Sequence, residues 1–152
     1  MTYATADARH LMLTSIADAT EQLGAALASL GEAYEQLDEG TAEQLEAELF
    51  RPLQLAYGRA QRAHNDFAGR CGLQSRAFQM HPQSAPAGGP KALLAAALEA
   101  VDRADRGLAE LQDSLLPVEV GDAELRAGIS EVRELLGGLH ARARALVRTL
   151  GR

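Results

Sequence analysis

The sequence predicts an all-α protein, an antiparallel up-down-up-down four-helix bundle, and three observations carry that expectation. Leu13, Ile16, Thr20, Leu23, Leu27, Leu30, Tyr34 and Leu37 are spaced 3-4-3-4-3-4-3, a heptad seam with one polar break. Leu125, Ile129, Val132, Leu136, Leu139, Ala143, Leu146 and Leu150 repeat the pattern near the other end without interruption. Glycine and proline signals at Gly40, Gly72, Gly88-Gly89-Pro90 and Pro117 separate one helical pattern from the next, while Pro52 and Gly137-Gly138 fall inside a pattern.

The first helix is expected from about Thr5 to Asp38, ending at Gly40, because glycine is the preferred residue just past a helix. Thr41 then opens T-A-E-Q, where the hydroxyl can cap a new helix while Gln44 reaches back. This second helix continues to about Arg70 and is expected to be kinked or broken at Pro52, since proline lacks an amide donor and crowds the preceding turn. A short 42–50 helix followed by a 52–71 helix is the alternative. After the proline its apolar face reads Leu53, Tyr57, Ala60, His64, Phe67 and Cys71.

Gly72 begins the longest irregular stretch, residues 72–89, which is rich in glycine and proline and contains no acid. One turn around Ser75–Met80 is the most structure its composition allows, and a loop of this length is either functional or mobile. Pro90 suits the first turn of a third helix running to about Leu116, with Ala97, Val101, Ala104, Leu108, Leu111 and Leu115 on one face. Pro117 ends that helix, and Asp122 is a good N-cap for the fourth. The four seams have similar lengths, so residues 1–152 are expected to form a single domain.

Composition narrows the function classes. A chain of 152 residues with 47% apolar and 24% charged residues is globular in balance. No apolar run approaches the roughly 18 residues that span a bilayer, and the N-terminus lacks a basic stretch followed by an apolar block. The lone Cys71 excludes an internal disulfide. A cytoplasmic protein, with no membrane partner, is the simplest expectation. Scarce lysine beside abundant arginine and alanine is what a GC-rich bacterial genome writes.

Charge is unevenly placed within a net −6. Residues 1–50 hold ten acids and one base, Arg9, whereas 51–90 hold five arginines and Asp66. The segment from His140 onward adds Arg142, Arg144, Arg148 and Arg152 with no acid. Two uses of the arginines compete. They can pair with the acidic first helix, or Arg51, Arg59, Arg62 and Arg70 can form an anion-binding stripe along the second helix. The overall negative charge disfavours a nucleic-acid partner.

No phosphate loop, nucleophile elbow, H-E-x-x-H, C-x-x-C or dinucleotide fingerprint is present. Only Asp7-x-x-His10 has ligand spacing, so no metal site and no cofactor are expected. Cys71 sits two helical turns from His64, about 10 Å along the axis, too far for a nucleophile–base pair. His64 is the most informative single residue, a titratable group on an apolar face. It is read as a polar contact to a neighbouring helix through Thr20 or Asp105, or as part of a ligand-binding cavity with Tyr57 and Asp105. Gly137 and Gly138 lie within a helical seam, where each costs about 1 kcal/mol relative to alanine. Close backbone packing there, against another helix or a second subunit, makes them interface candidates, with a kink as the alternative.

The functional expectation is a non-catalytic protein-interaction or oligomerisation module, engaging a protein partner or forming a homodimer. A small-ligand-binding or catalytic bundle with a cavity near His64 and Tyr57 is the alternative. A nucleic-acid-associated bundle using the arginine stripe is a weaker one.

Overall fold

The computed structural model of the chain describes residues 2–81 and 88–150, and the fold is all-helical. Five described helices have 12 residues or more: α1 (Thr2–Glu35), α3 (Arg51–Arg70), α4 (Gly89–Asp113), α6 (Ala123–Leu136) and α7 (Leu139–Leu150). Two short helices, α2 (Glu39–Leu45) and α5 (Leu116–Glu119), join them. Among the described residues no helix is long and apolar enough to cross a membrane.

The first seam is buried from Leu13 to Leu30, and α1 is buried well beyond it, with Met12, Ala19, Ala26 and Ala33 also enclosed. The reason is its position: α1 packs along both α3 and α4, so two faces need apolar cover. Tyr34, expected on the seam, is 40% exposed because α1 ends one residue later.

The turn after α1 departs from the expected caps. Asp38, not Thr41, caps α2, its carboxylate accepting from the Thr41 amide at 2.8 Å and the Thr41 hydroxyl at 3.1 Å. Gly40 therefore lies inside the first turn of α2. A charged acceptor outcompetes a hydroxyl for helix N-terminal amides, which is why the cap moves three residues upstream.

Pro52 does not break the chain. Residues Glu46–Phe50 widen into a π-helical stretch that passes into α3 through helical backbone, with the Arg51 N–H donating to the Glu46 carbonyl. Pro52 occupies the first turn of α3, where its missing donor is tolerated. The Glu48 carbonyl, its i−4 acceptor in a regular helix, receives the Arg142 guanidinium from α7 at 3.4 Å.

Contacts along the helices set the topology, and it is not up-down-up-down. Tyr57 lies against Gly24, and Leu30 shares a wall with Leu49 and Leu53, so α3 runs antiparallel to α1. Arg103 bonds Gln22, and Leu11 shares a groove with Ser114, so α4 also runs antiparallel to α1. Helices α3 and α4 consequently point the same way. Pairs Arg59–Glu131 and Arg70–Asp122 place α6 antiparallel to α3. The connection after α3 must therefore return along the bundle, and its described part does so. Leu73 lines a groove with His10 and Leu13, Arg76 pairs with Glu21, and Gly89 lies close to Gln36 at the far end of α1. A 20-residue helix spans about 30 Å, within easy reach of eighteen extended residues. A length that read as looseness is thus a crossover.

Gly72, at φ 68, closes α3, with Leu73 N–H reaching back to the Ala68 carbonyl at 2.7 Å. Residues 73–81 contain no helix or turn, so the turn expected around Ser75–Met80 is not formed; residues 82–87 of the expected 72–89 loop lie outside the described residues.

The fourth seam keeps its burial but not its continuity. Leu125 through Leu146 are buried in the expected register, yet Gly137 ends α6 and Gly138, at φ 86, separates it from α7. Helix α6 packs on α3 and α4, whereas α7 turns onto α4, α2 and the π-helical stretch. The break lets one run of apolar residues cover two surfaces.

Candidate functional site

His64 sits on the inner face of α3 with only 5% of its surface exposed. Its partner is neither Thr20 nor Asp105. The Thr20 hydroxyl donates to its own helix at the Ile16 carbonyl, 2.7 Å away. Asp105 lies between α4 and α6, where it accepts from Arg133 at 2.8 Å. Nδ1 of His64 instead meets Asn65 Oδ1 at 2.7 Å.

The Asn65 amide is oriented by two further bonds. Its Nδ2 donates to the Arg76 carbonyl and its Oδ1 accepts the Arg76 amide, both at 2.9 Å. Oδ1 is thus an acceptor, and Nδ1–H of His64 must be the donor. In the neutral ring the proton-free nitrogen is then Nε2, which takes no hydrogen bond from the described residues. Among the described residues no buried side-chain nitrogen or oxygen lacks a partner, so Nε2 keeps a path to solvent. His64 lines a groove of about 500 Å³ between α1 and the crossover segment together with His10, Thr14 and Ser75.

The crossover segment is pinned across this site. The Phe78 ring meets the His64 ring edge-on, centroids 5.4 Å apart at 87°. The Arg76 guanidinium lies 5.4 Å from the Phe78 centroid and pairs with Glu21 of α1. Burial holds the His64 imidazole below its ordinary range; the Asn65 bond opposes this and the nearby Arg76 charge reinforces it. Tyr57, one heptad earlier, packs against Gly24 instead, and burial raises its phenol above the ordinary range. His64 and Tyr57 therefore share a helix face without sharing a cavity wall, and Asp105 joins neither.

Asn65, Arg76 and Phe78 were not among the expected site residues. One signal was present: asparagine is a poor helix-interior residue, and beside an inward histidine it asks for a side-chain partner.

A second place stands out where α4 meets α5. Leu115, expected on the buried face of α4, has φ 67 and is 56% exposed. Leu11 and Val118, at this end of α1 and in α5, are 59% and 64% exposed. Leu11, Leu111 and Leu116 line a groove of about 450 Å³ here, rimmed by Asp18, Gln22 and Glu110.

The arginines resolve differently from both expectations. Arg59 pairs with Glu131 of α6, and Arg70 pairs bidentately with the α6 N-cap Asp122 at 2.7 and 2.9 Å and with Glu124 of α6 at 2.9 Å. Of the arginines between 51 and 90, Arg76 is the one paired with α1. Gly138 has open space where a side chain would grow, so close packing within the chain does not account for it; the turn does. Close packing between helices is found instead at Gly128 of α6, whose added Cβ would lie 3.0 Å from Ala63 on α3, and at Gly24 of α1, 3.2 Å from the Tyr57 ring. Compared with protein-family models, characterised proteins and solved structures, the chain matches none.

Proposed function

We propose that the chain is a non-catalytic interaction module that self-associates through the end of the bundle where α4 meets α5. Leu115 carries this reading. A leucine in left-handed backbone costs about 1–2 kcal/mol, and here that conformation turns the side chain outward. The turn starts α5, the Leu115 carbonyl accepting the Val118 and Glu119 amides at 3.0 and 2.9 Å, and it sets three exposed apolar side chains, Leu11, Leu115 and Val118, at this end of the bundle, the composition of a docking surface. The interior offers little to a ligand: the gap among Leu30, Leu53, Leu94 and Val101 is about 10 Å³, scarcely one water. A nucleic-acid role loses support because Arg59 and Arg70 are already paired with carboxylates.

Light scattering across a concentration series tests the proposal. The wild type is expected to approach twice the chain mass. Leu115→Asn, which suits left-handed backbone and removes the apolar surface, is expected to stay monomeric with undiminished stability. A wild type that remains monomeric at millimolar concentration, or association unchanged in Leu115→Asn, overturns it.

A further inference from the structure

The groove beside His64 lies on another face of α1 and is unlike the α4–α5 end in chemistry. It is lined by polar Thr14, Gln74, Ser75 and Arg76 and by His10 and His64, with apolar Leu13, Ala17 and Leu73. No carboxylate lines it, although the chain carries a net charge of −6. Acids are excluded where polar groups converge on an apolar floor, which is the composition of a small-molecule site.

We propose that this groove binds a small organic anion, its charged head at Nε2 of His64 and its carbon body against Leu13, Ala17 and Leu73. His64 is more than nine-tenths buried, lines the groove, and has an Nε2 that takes no hydrogen bond from the described residues. Neutral Nε2 can only accept; once protonated, it donates to an anionic oxygen. Nδ1–H keeps its bond to Asn65 in either state, so the ring need not turn when it takes up the proton. The charged and titratable groups on this side are His10 and Glu21 of α1 and Arg76 of the crossover segment. Glu21 is engaged by Arg76, which leaves the groove without a competing anion.

Anion binding and His64 protonation are therefore linked. The anion raises the imidazole's affinity for a proton, and the proton raises affinity for the anion by the same factor. Affinity is expected to increase up to about tenfold per pH unit as pH falls through the bound-state pKa.

The test follows the His64 ring proton by NMR in the full-length wild type during pH titrations. The probes are benzoate, phenyl phosphate and neutral benzyl alcohol. Either anion is expected to raise the His64 pKa by a unit or more and to shift the Leu13 and Leu73 methyl signals, with benzyl alcohol producing neither effect. The tighter-binding anion identifies the head group, carboxylate or phosphate. His64→Gln is expected to abolish the pH dependence of benzoate or phenyl phosphate binding. The proposal is overturned if neither anion moves His64, if His81 and His140, which do not line the groove, shift equally, or if benzyl alcohol binds as well. Because this readout needs no self-association, its failure is distinct from failure of the docking proposal.

Discussion

Adding one methyl group at Gly128 tests whether α6 and α3 are held in contact at the distance the fold requires. An alanine Cβ there would lie 3.0 Å from Ala63 Cβ and 3.1 Å from both terminal nitrogens of Arg59. Carbon atoms prefer about 3.5–4.0 Å, so α6 or α3 must shift by about half an ångström. Overpacking of this kind costs about 1–3 kcal/mol, while alanine in a helix returns about 1 kcal/mol over glycine. Displacing Arg59 also loosens its pair with Glu131, worth about 0.2–1 kcal/mol at this partly exposed site. Gly128→Ala is expected to lower stability by up to about 3 kcal/mol. Gly31→Ala is the control, because a Cβ at Gly31 of α1 meets nothing within 4 Å. It is expected to raise stability by about 0.5–1 kcal/mol. At about 2–4 °C per kcal/mol for a chain this size, melting curves followed by circular dichroism separate the two variants clearly. Equal stabilisation by both substitutions would refute the reasoning, since it would mean that α6 and α3 are not in contact at Gly128.

Three further outcomes are expected. Gly138→Ala should lower stability by about 1 kcal/mol through its left-handed backbone, whereas Gly137→Ala, at φ −62, should cost less; equal melting shifts would remove the turn as the reason for the pair. The Arg70 hydrogen bond holds the Asp122 carboxyl below its ordinary range, helped by the Leu125 amide it caps and opposed by burial. Its contribution is therefore complete above the unfolded carboxylate pKa and is lost as pH falls through the lower folded value. Asp122→Ala should cost about 1 kcal/mol at neutral pH and Asp122→Asn less, because asparagine still caps; urea titrations at neutral and acidic pH check both. Asn65→Ala releases the Arg76 backbone, so trypsin should cut after Arg76 faster than in the wild type; an unchanged rate would show that the two Asn65 bonds do not pin the segment.

Periodicity legibly marked the faces that are buried, because a 3-4 spacing constrains which side of a helix can be wet. Leu125 to Leu146 are buried in the register the spacing implies, although the helix breaks in the middle. His64 was also visible as an inward polar group. Its partner was not, because the Asn65–Arg76 bonds depend on where an irregular segment crosses α3, and no periodicity describes that crossing. Leu115 illustrates the converse: its spacing matches the α4 seam, yet the helix stops at Asp113 and the backbone turns it outward.

Helical character, the approximate position of the long helical stretches and the faces they bury were all legible in the sequence. Those properties follow from local propensity, capping and burial pattern, all of which act over a few residues. The parallel run of α3 and α4, the pairing of Arg59 and Arg70 with α6 and its N-cap, and the close approach of Gly128 to α3 came from the tertiary structure alone. Each of these depends on which helix neighbours which. Heptad seams are nearly interchangeable in what they can pack against, so neighbour choice rests on the connections and on contacts between residues far apart in the chain.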